Sequence, residues 1–187
     1  MKNYFWVLLL AFMVGCQPSE GGGQSAGSGS LERSSNEENG KLLGEGYLRG
    51  GEKDGTWITY HKRNGLVESV IGYRNGARQG PYMKADDKGS VTERGFYVDD
   101  QLEGPRVRFN RTRVKEEANY SNGKLEGSRK LWYDNGKIQE EGNFKNGDRE
   151  GENKWYDQEE NVTIAAEYSG GKKVKDLPVP PKKVKEE

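Results

Sequence analysis

The chain has 187 residues, of which 31% are hydrophobic and 32% charged, and its mean hydropathy is −1.07. A compact domain carries roughly 45–50% apolar residues, so a thick core is excluded; 4 Trp, 10 Tyr, 5 Phe and 27 regularly spaced Gly exclude a disordered chain as well. Its 30 basic and 30 acidic residues cancel, which removes the electrostatic reason to expect a nucleic-acid partner.

The chain opens with Met1-Lys2-Asn3, a short positive segment, followed by the apolar and aromatic run Tyr4 to Val14. That run falls well short of the ~20 residues a membrane-spanning helix needs and has the form of an export signal. It ends in Met13-Val14-Gly15-Cys16. This ending resembles the lipobox of bacterial lipoproteins, with Met13 where that pattern commonly has Leu. The resemblance implies a signal peptide over 1–15 and a lipid on Cys16, which becomes the mature N-terminus. Gln17, rather than Asp, follows the cysteine. By the sorting habit of enteric-type lipoproteins this implies a cell-envelope location, on the outer membrane rather than the inner where the host has both.

Residues 16–43 contain Gly21-Gly22-Gly23 and Gly27-Ser28-Gly29-Ser30 and no apolar periodicity. They are expected to form a flexible tether with a reach on the order of 30 Å. Cys16 and His61 are the only residues of their types, so no disulfide forms within the chain and no Cys/His zinc site or nucleophile pair is expected. Neither a metal nor a cofactor is implied.

From Gly44 to Gly171 the chain repeats. A glycine recurs at Gly55, Gly80, Gly104, Gly127 and Gly151, and an aromatic at Tyr73, Tyr97, Tyr120, Phe144 and Tyr168. Six residues before each aromatic stand Val67, Val91, Val114, Ile138 and Val162; five after each glycine stand Tyr60, Ala85, Phe109, Trp132 and Tyr156. Four columns holding register over five units predict tandem β-hairpins. Since residues two apart in a strand share a face, the Val/Ile and aromatic columns are expected to point the same way. The position two before the aromatic is Ile71, Gly95, Ala118, Gly142 or Ala166, leaving room for neighbouring rings. Residues three after the glycine are Ile58, Met83 and Val107, then Lys130 and Lys154, so the apolar character fades along the array.

Asn64-Gly65 and Asn135-Gly136 close hairpins within units, and Asn75-Gly76, Asn122-Gly123 and Asn146-Gly147 close those between units. Asn-Gly suits a two-residue type I′ turn, which needs positive φ at both positions. Asp99-Asp100 and Arg111-Thr112 depart from that pattern and predict looser hairpins. The expected fold is all-β: one elongated antiparallel meander over 44–171, flanked by the tether and by a Lys/Pro-rich disordered tail over 172–187.

The run Tyr120-Ser121-Asn122-Gly123-Lys124-Leu125-Glu126-Gly127, continued by Trp132-Tyr133-Asp134-Asn135-Gly136 and Phe144-Lys145-Asn146-Gly147, resembles the bacterial variant of the MORN repeat, carried by proteins often labelled YwqK-type antitoxins. The resemblance implies an elongated sheet, a role in protein or membrane association, and no catalytic residues.

The candidate binding face is Tyr60, Tyr73, Tyr97, Phe109, Tyr120, Trp132, Phe144, Tyr156 and Tyr168, either as a ligand groove or as a core of rings stacked across strands. Glu68, Glu93, Glu117 and Glu141 recur with the units and read as solubilising residues, because acid–base pairs need distinct environments. His61, beside Lys62 and Arg63, reads as a surface residue. The tail, with Pro178, Pro180 and Pro181, reads as extended and unpaired. Two functions follow: a non-enzymatic, lipid-anchored scaffold that binds a protein or envelope component, or an antitoxin or immunity protein that neutralises a cognate toxin, as the family label implies. The export signal speaks against a cytosolic antitoxin.

Overall fold

The computed structural model describes residues 29–182. The signal peptide, Cys16 and the first part of the tether lie outside the described residues. Fifteen strands follow one another without a helix among the described residues. They are β1 (Leu31–Glu38), β2 (Lys41–Arg49), β3 (Glu52–Lys53), β4 (Gly55–Tyr60), β5 (Val67–Arg74), β6 (Ala77–Ala85), β7 (Val91–Val98) and β8 (Gln101–Leu102). Then come β9 (Gly104–Asn110), β10 (Arg113–Ser121), β11 (Lys124–Trp132), β12 (Ile138–Lys145), β13 (Asp148–Tyr156), β14 (Val162–Ser169) and β15 (Lys172–Asp176). All join in chain order into one antiparallel sheet, with the two-residue β3 and β8 paired beside β2 and β7. The expected meander is the fold.

Its ends correct the expected boundaries. The array begins at Leu31, not Gly44, because β1 pairs with β2 through the turn Asn39-Gly40. It runs past Gly171, because β15 pairs with β14 through Gly170-Gly171. Both are edge strands whose residues are almost all exposed. They bury no face, so they carry none of the apolar alternation that marks an interior strand.

A second correction concerns the faces. In every unit the pairing slips by one residue next to the Val/Ile column, which pairs Tyr60 with Val67, Ala85 with Val91, Phe109 with Val114, Trp132 with Ile138 and Tyr156 with Val162. An extra residue in one strand reverses the in–out phase beyond it. The Val/Ile column therefore points away from the column Tyr73, Tyr97, Tyr120, Phe144 and Tyr168, not along with it.

The core lies on the face of that second column. Trp57, Tyr82, Tyr97, Ala118, Phe144 and Ala166 are its buried apolar residues, joined by buried Ser69, Glu116, Glu140 and Asn153. Its spine is a row of partners in which a large side chain two residues after the unit glycine meets a small one on the next strand: Tyr82 with Gly95, Arg106 with Ala118, Arg129 with Gly142, Asn153 with Ala166. In the first units this spine is aromatic, and Tyr82 and Tyr97 stack with centroids 4.5 Å apart. From β9 to β13 it becomes ionic. Glu116 accepts from Arg106 at 2.6 Å and Arg129 at 2.7 Å, and Glu140 accepts from Arg149 at 2.6 Å.

The outer turns stack in register. Asn75-Gly76, Asn122-Gly123 and Asn146-Gly147 each have two positive φ values, as a type I′ turn requires. Asp99-Asp100 takes the same conformation, with φ of 45° and 66°, so it is not looser. Arg78 holds it by bonding the Asp100 side chain and carbonyl. Carboxylates just before the unit glycines clamp the next turn: Glu103 accepts from Asn122 N–H, Glu126 from Asn146 N–H and Glu150 from Gly170 N–H. The inner turns differ from expectation. At Asn64-Gly65 and Asn135-Gly136 only the glycine has positive φ, and the connection is wider, closed by His61 N–H to Leu66 and Tyr133 N–H to Lys137 carbonyls. Arg111-Thr112 instead closes a tight two-residue turn between paired Asn110 and Arg113.

Candidate binding face

The nine aromatic candidates fall on opposite faces, because of the recurrent bulge. Tyr73, Tyr97, Tyr120, Phe144 and Tyr168 belong to the core face, where cations lie over their rings: Arg78 over Tyr97 at 4.2 Å, Arg106 over Tyr120 at 5.0 Å and Arg149 over Phe144 at 5.2 Å. Such contacts are worth ~1 kcal/mol each. These five hold the sheet together. Tyr60, Phe109, Trp132 and Tyr156 stand on the other, open face with the Val/Ile column.

The open face is ordered by a row of partners that crosses the sheet: Ile58, Val70, Met83, Arg94, Val107, Glu117, Lys130, Glu141 and Lys154. Its first half is apolar except at Arg94, and its second half alternates in charge. The apolar half lines a trough of about 740 Å³, whose walls include Val70, Pro81, Met83, Val91, Val107 and Phe109. Phe96 stands beside it 40% exposed. Among the described residues no second layer of structure covers this apolar surface. The guanidinium of Arg94 lies over the Phe109 ring, 5.8 Å from its centroid, and among the described residues no ion pair engages it. The polar half forms a smaller trough of about 220 Å³ with Ser128, Lys130, Glu141, Asn143, Glu152 and Lys154 among its walls.

The recurrent glutamates have particular partners. Glu93 accepts from the Tyr82 hydroxyl at 2.8 Å on the core face, Glu68 from Thr59, and Glu141 from Tyr156 on the open face. Burial first, and then the bond to Glu93, pushes the Tyr82 phenol up; burial and Glu141 do the same to Tyr156. Both phenols stay protonated and act as donors. Burial alone raises the Glu116 carboxyl, but Arg129 and Arg106 outweigh it and leave that group below its ordinary range. His61 is half-buried, with Nε2 3.0 Å from the Ala85 carbonyl oxygen. Among the described residues no cluster of His, Cys, Asp or Glu is arranged to hold a metal ion.

Three columns went unnoticed in the sequence: the spine two after the glycine, the ionic column of Glu93, Glu116 and Glu140, and the turn clamps just before the glycine. The first mixes Trp57, Tyr82, Arg106, Arg129 and Asn153, so residue similarity conceals it. The clamps Glu103, Glu126 and Glu150 stand one residue before Gly104, Gly127 and Gly151, a position the sequence shows directly.

A single antiparallel sheet built of tandem hairpins, with one face self-stabilised and the other open, defines a β-hairpin repeat protein. Residues 125–146, which span most of β11, its inner turn and β12, match the family described as the MORN repeat variant. The columns of that segment recur in the other units. No curated protein matches the chain.

Proposed function

We propose that the chain is a non-enzymatic repeat protein, held at the cell envelope by a lipid on Cys16, whose open face docks a protein partner. The observation that carries this reading is the apolar trough over β5, β6, β7 and β9. MORN repeats generally serve in protein or membrane binding. Here the charged half of the same face favours a protein over a bilayer. There Lys130, Lys154 and Lys175 are interleaved with Glu117, Glu141, Glu152 and Glu167, so no block of positive charge draws this half to anionic lipid. The partner recognised by this surface brings apolar side chains to Met83, Val107 and Phe109 and a carboxylate to Arg94.

Crosslinked capture from the native envelope tests it. The full chain should recover a reproducible protein that Val107→Glu and Arg94→Glu variants lose. Recovery of the same proteins by those variants would overturn the reading. A toxin captured in this way would make the chain an immunity protein. Labelling cells with an alkynyl fatty acid tests the anchor: the tag should disappear in Cys16→Ala, and a tag that survives would remove it.

A further inference from the structure

The two ends of the sheet differ in charge. β1, Leu31-Glu32-Arg33-Ser34-Ser35-Asn36-Glu37-Glu38, carries three acids and one base; β15, Lys172-Lys173-Val174-Lys175-Asp176, carries three bases and one acid. Among the described residues both strands are paired on one side only, so each presents a row of backbone N–H and C=O groups as a template for another strand. Each also exposes a large apolar side chain, Leu31 at 50% and Val174 at 62%.

We propose that the partner of these edges is a second copy of this chain, added head to tail so that β15 of one copy pairs with β1 of the next. Charge selects this arrangement over its alternatives. A two-fold dimer about the midpoint of β1 sets Glu32 against Glu37, and one about Val174 of β15 sets Lys173 against Lys175, which is unfavourable for residues directly opposed. The pairing of unlike edges instead opposes an excess of acids to an excess of bases. The lysines that blunt β15 against self-pairing are complementary to β1. Thirteen strands lie on the path from β1 to β15, every step antiparallel. The two edge strands therefore run in the same direction, and a copy added with the same face upward pairs in parallel. A contact between unlike surfaces does not close on itself unless its rotation makes a ring, so it produces a growing row. Such a row repeats the open-face trough along one continuous sheet.

The test is sedimentation of the full chain in detergent micelles. At low salt the mass should rise with concentration beyond two copies. It should fall to one copy at about 1 M salt, where the Debye length is near 3 Å. Glu32→Lys with Glu37→Lys should remain single, and so should Lys172→Glu with Lys173→Glu. Mixing the two reversed chains should restore assembly, because each then meets an edge of opposite sign. Unchanged thermal melting of the two variants by circular dichroism shows that the fold has been kept. A single-copy species under all these conditions, or a mass that stops at two and ignores the reversals, would overturn the proposal.

Discussion

Tyr82 lies across the backbone of Gly95 so closely that a Cβ at position 95 would stand 2.8 Å from the ring carbon Cε1. Replacing Gly95 by Ala therefore overpacks the aromatic end of the core and should cost about 1–3 kcal/mol in urea unfolding. Gly80 has a different reason for being glycine. Its φ is +91° with open space around it, and Gly80→Ala should cost about 1–2 kcal/mol through the backbone alone. A Tyr82→Ala background separates the two causes: the Gly95→Ala penalty should shrink there and the Gly80→Ala penalty should persist. Equal shrinkage at both positions would contradict this distinction.

Glu116 couples the ionic half of the core to pH. Its folded-state pKa lies below the ordinary value of 4.5, so its contribution is fully present above that value. The contribution is lost as pH falls through the lowered one. Glu116→Gln should therefore destabilise the chain by about 3 kcal/mol near neutrality. Melting curves of the two proteins should converge below the lowered pKa. A gap that stays constant down to the acid limit would refute the assignment.

The clamp from Glu126 to the Asn146 N–H, 2.8 Å long, should slow exchange of that amide. Glu126→Ala should cost about 1 kcal/mol and raise hydrogen exchange at Asn146 more than at Asn122, which Glu103 holds independently. Equal acceleration at both would indicate general loosening of the sheet.

Arg94 has no ion-pair partner among the described residues. Arg94→Ala should therefore cost no more than about 1 kcal/mol, the worth of its contact with the Phe109 ring, while weakening capture of the partner. A large loss of stability would place Arg94 in the core and not in the binding surface.

The meander and most of its outer turns were legible in the sequence, because glycine, Asn-Gly and β-branched columns report backbone geometry directly. The assignment of faces was not. Counting six residues from Val67 to Tyr73 places them on one face, and a single bulged residue reverses that. Alternation cannot report an inserted residue whose own side chain is unremarkable, such as Glu68. The edges escaped for the opposite reason. Leu31–Glu38 bury no face, so nothing in their polarity marks them as strand. Asp99-Asp100 looked poor as a turn because the bonds from Arg78 lie more than twenty residues away in sequence.

The central claim is that partners bind the open face over its apolar half. Photo-crosslinking in the native envelope tests it most directly, with a photoreactive residue placed in turn at Met83, at Asn143 on the charged half, and at Arg108 on the core face. The account predicts a discrete adduct from position 83 and none from 143 or 108. An adduct from 108 with none from 83 would show that the partner binds the opposite face.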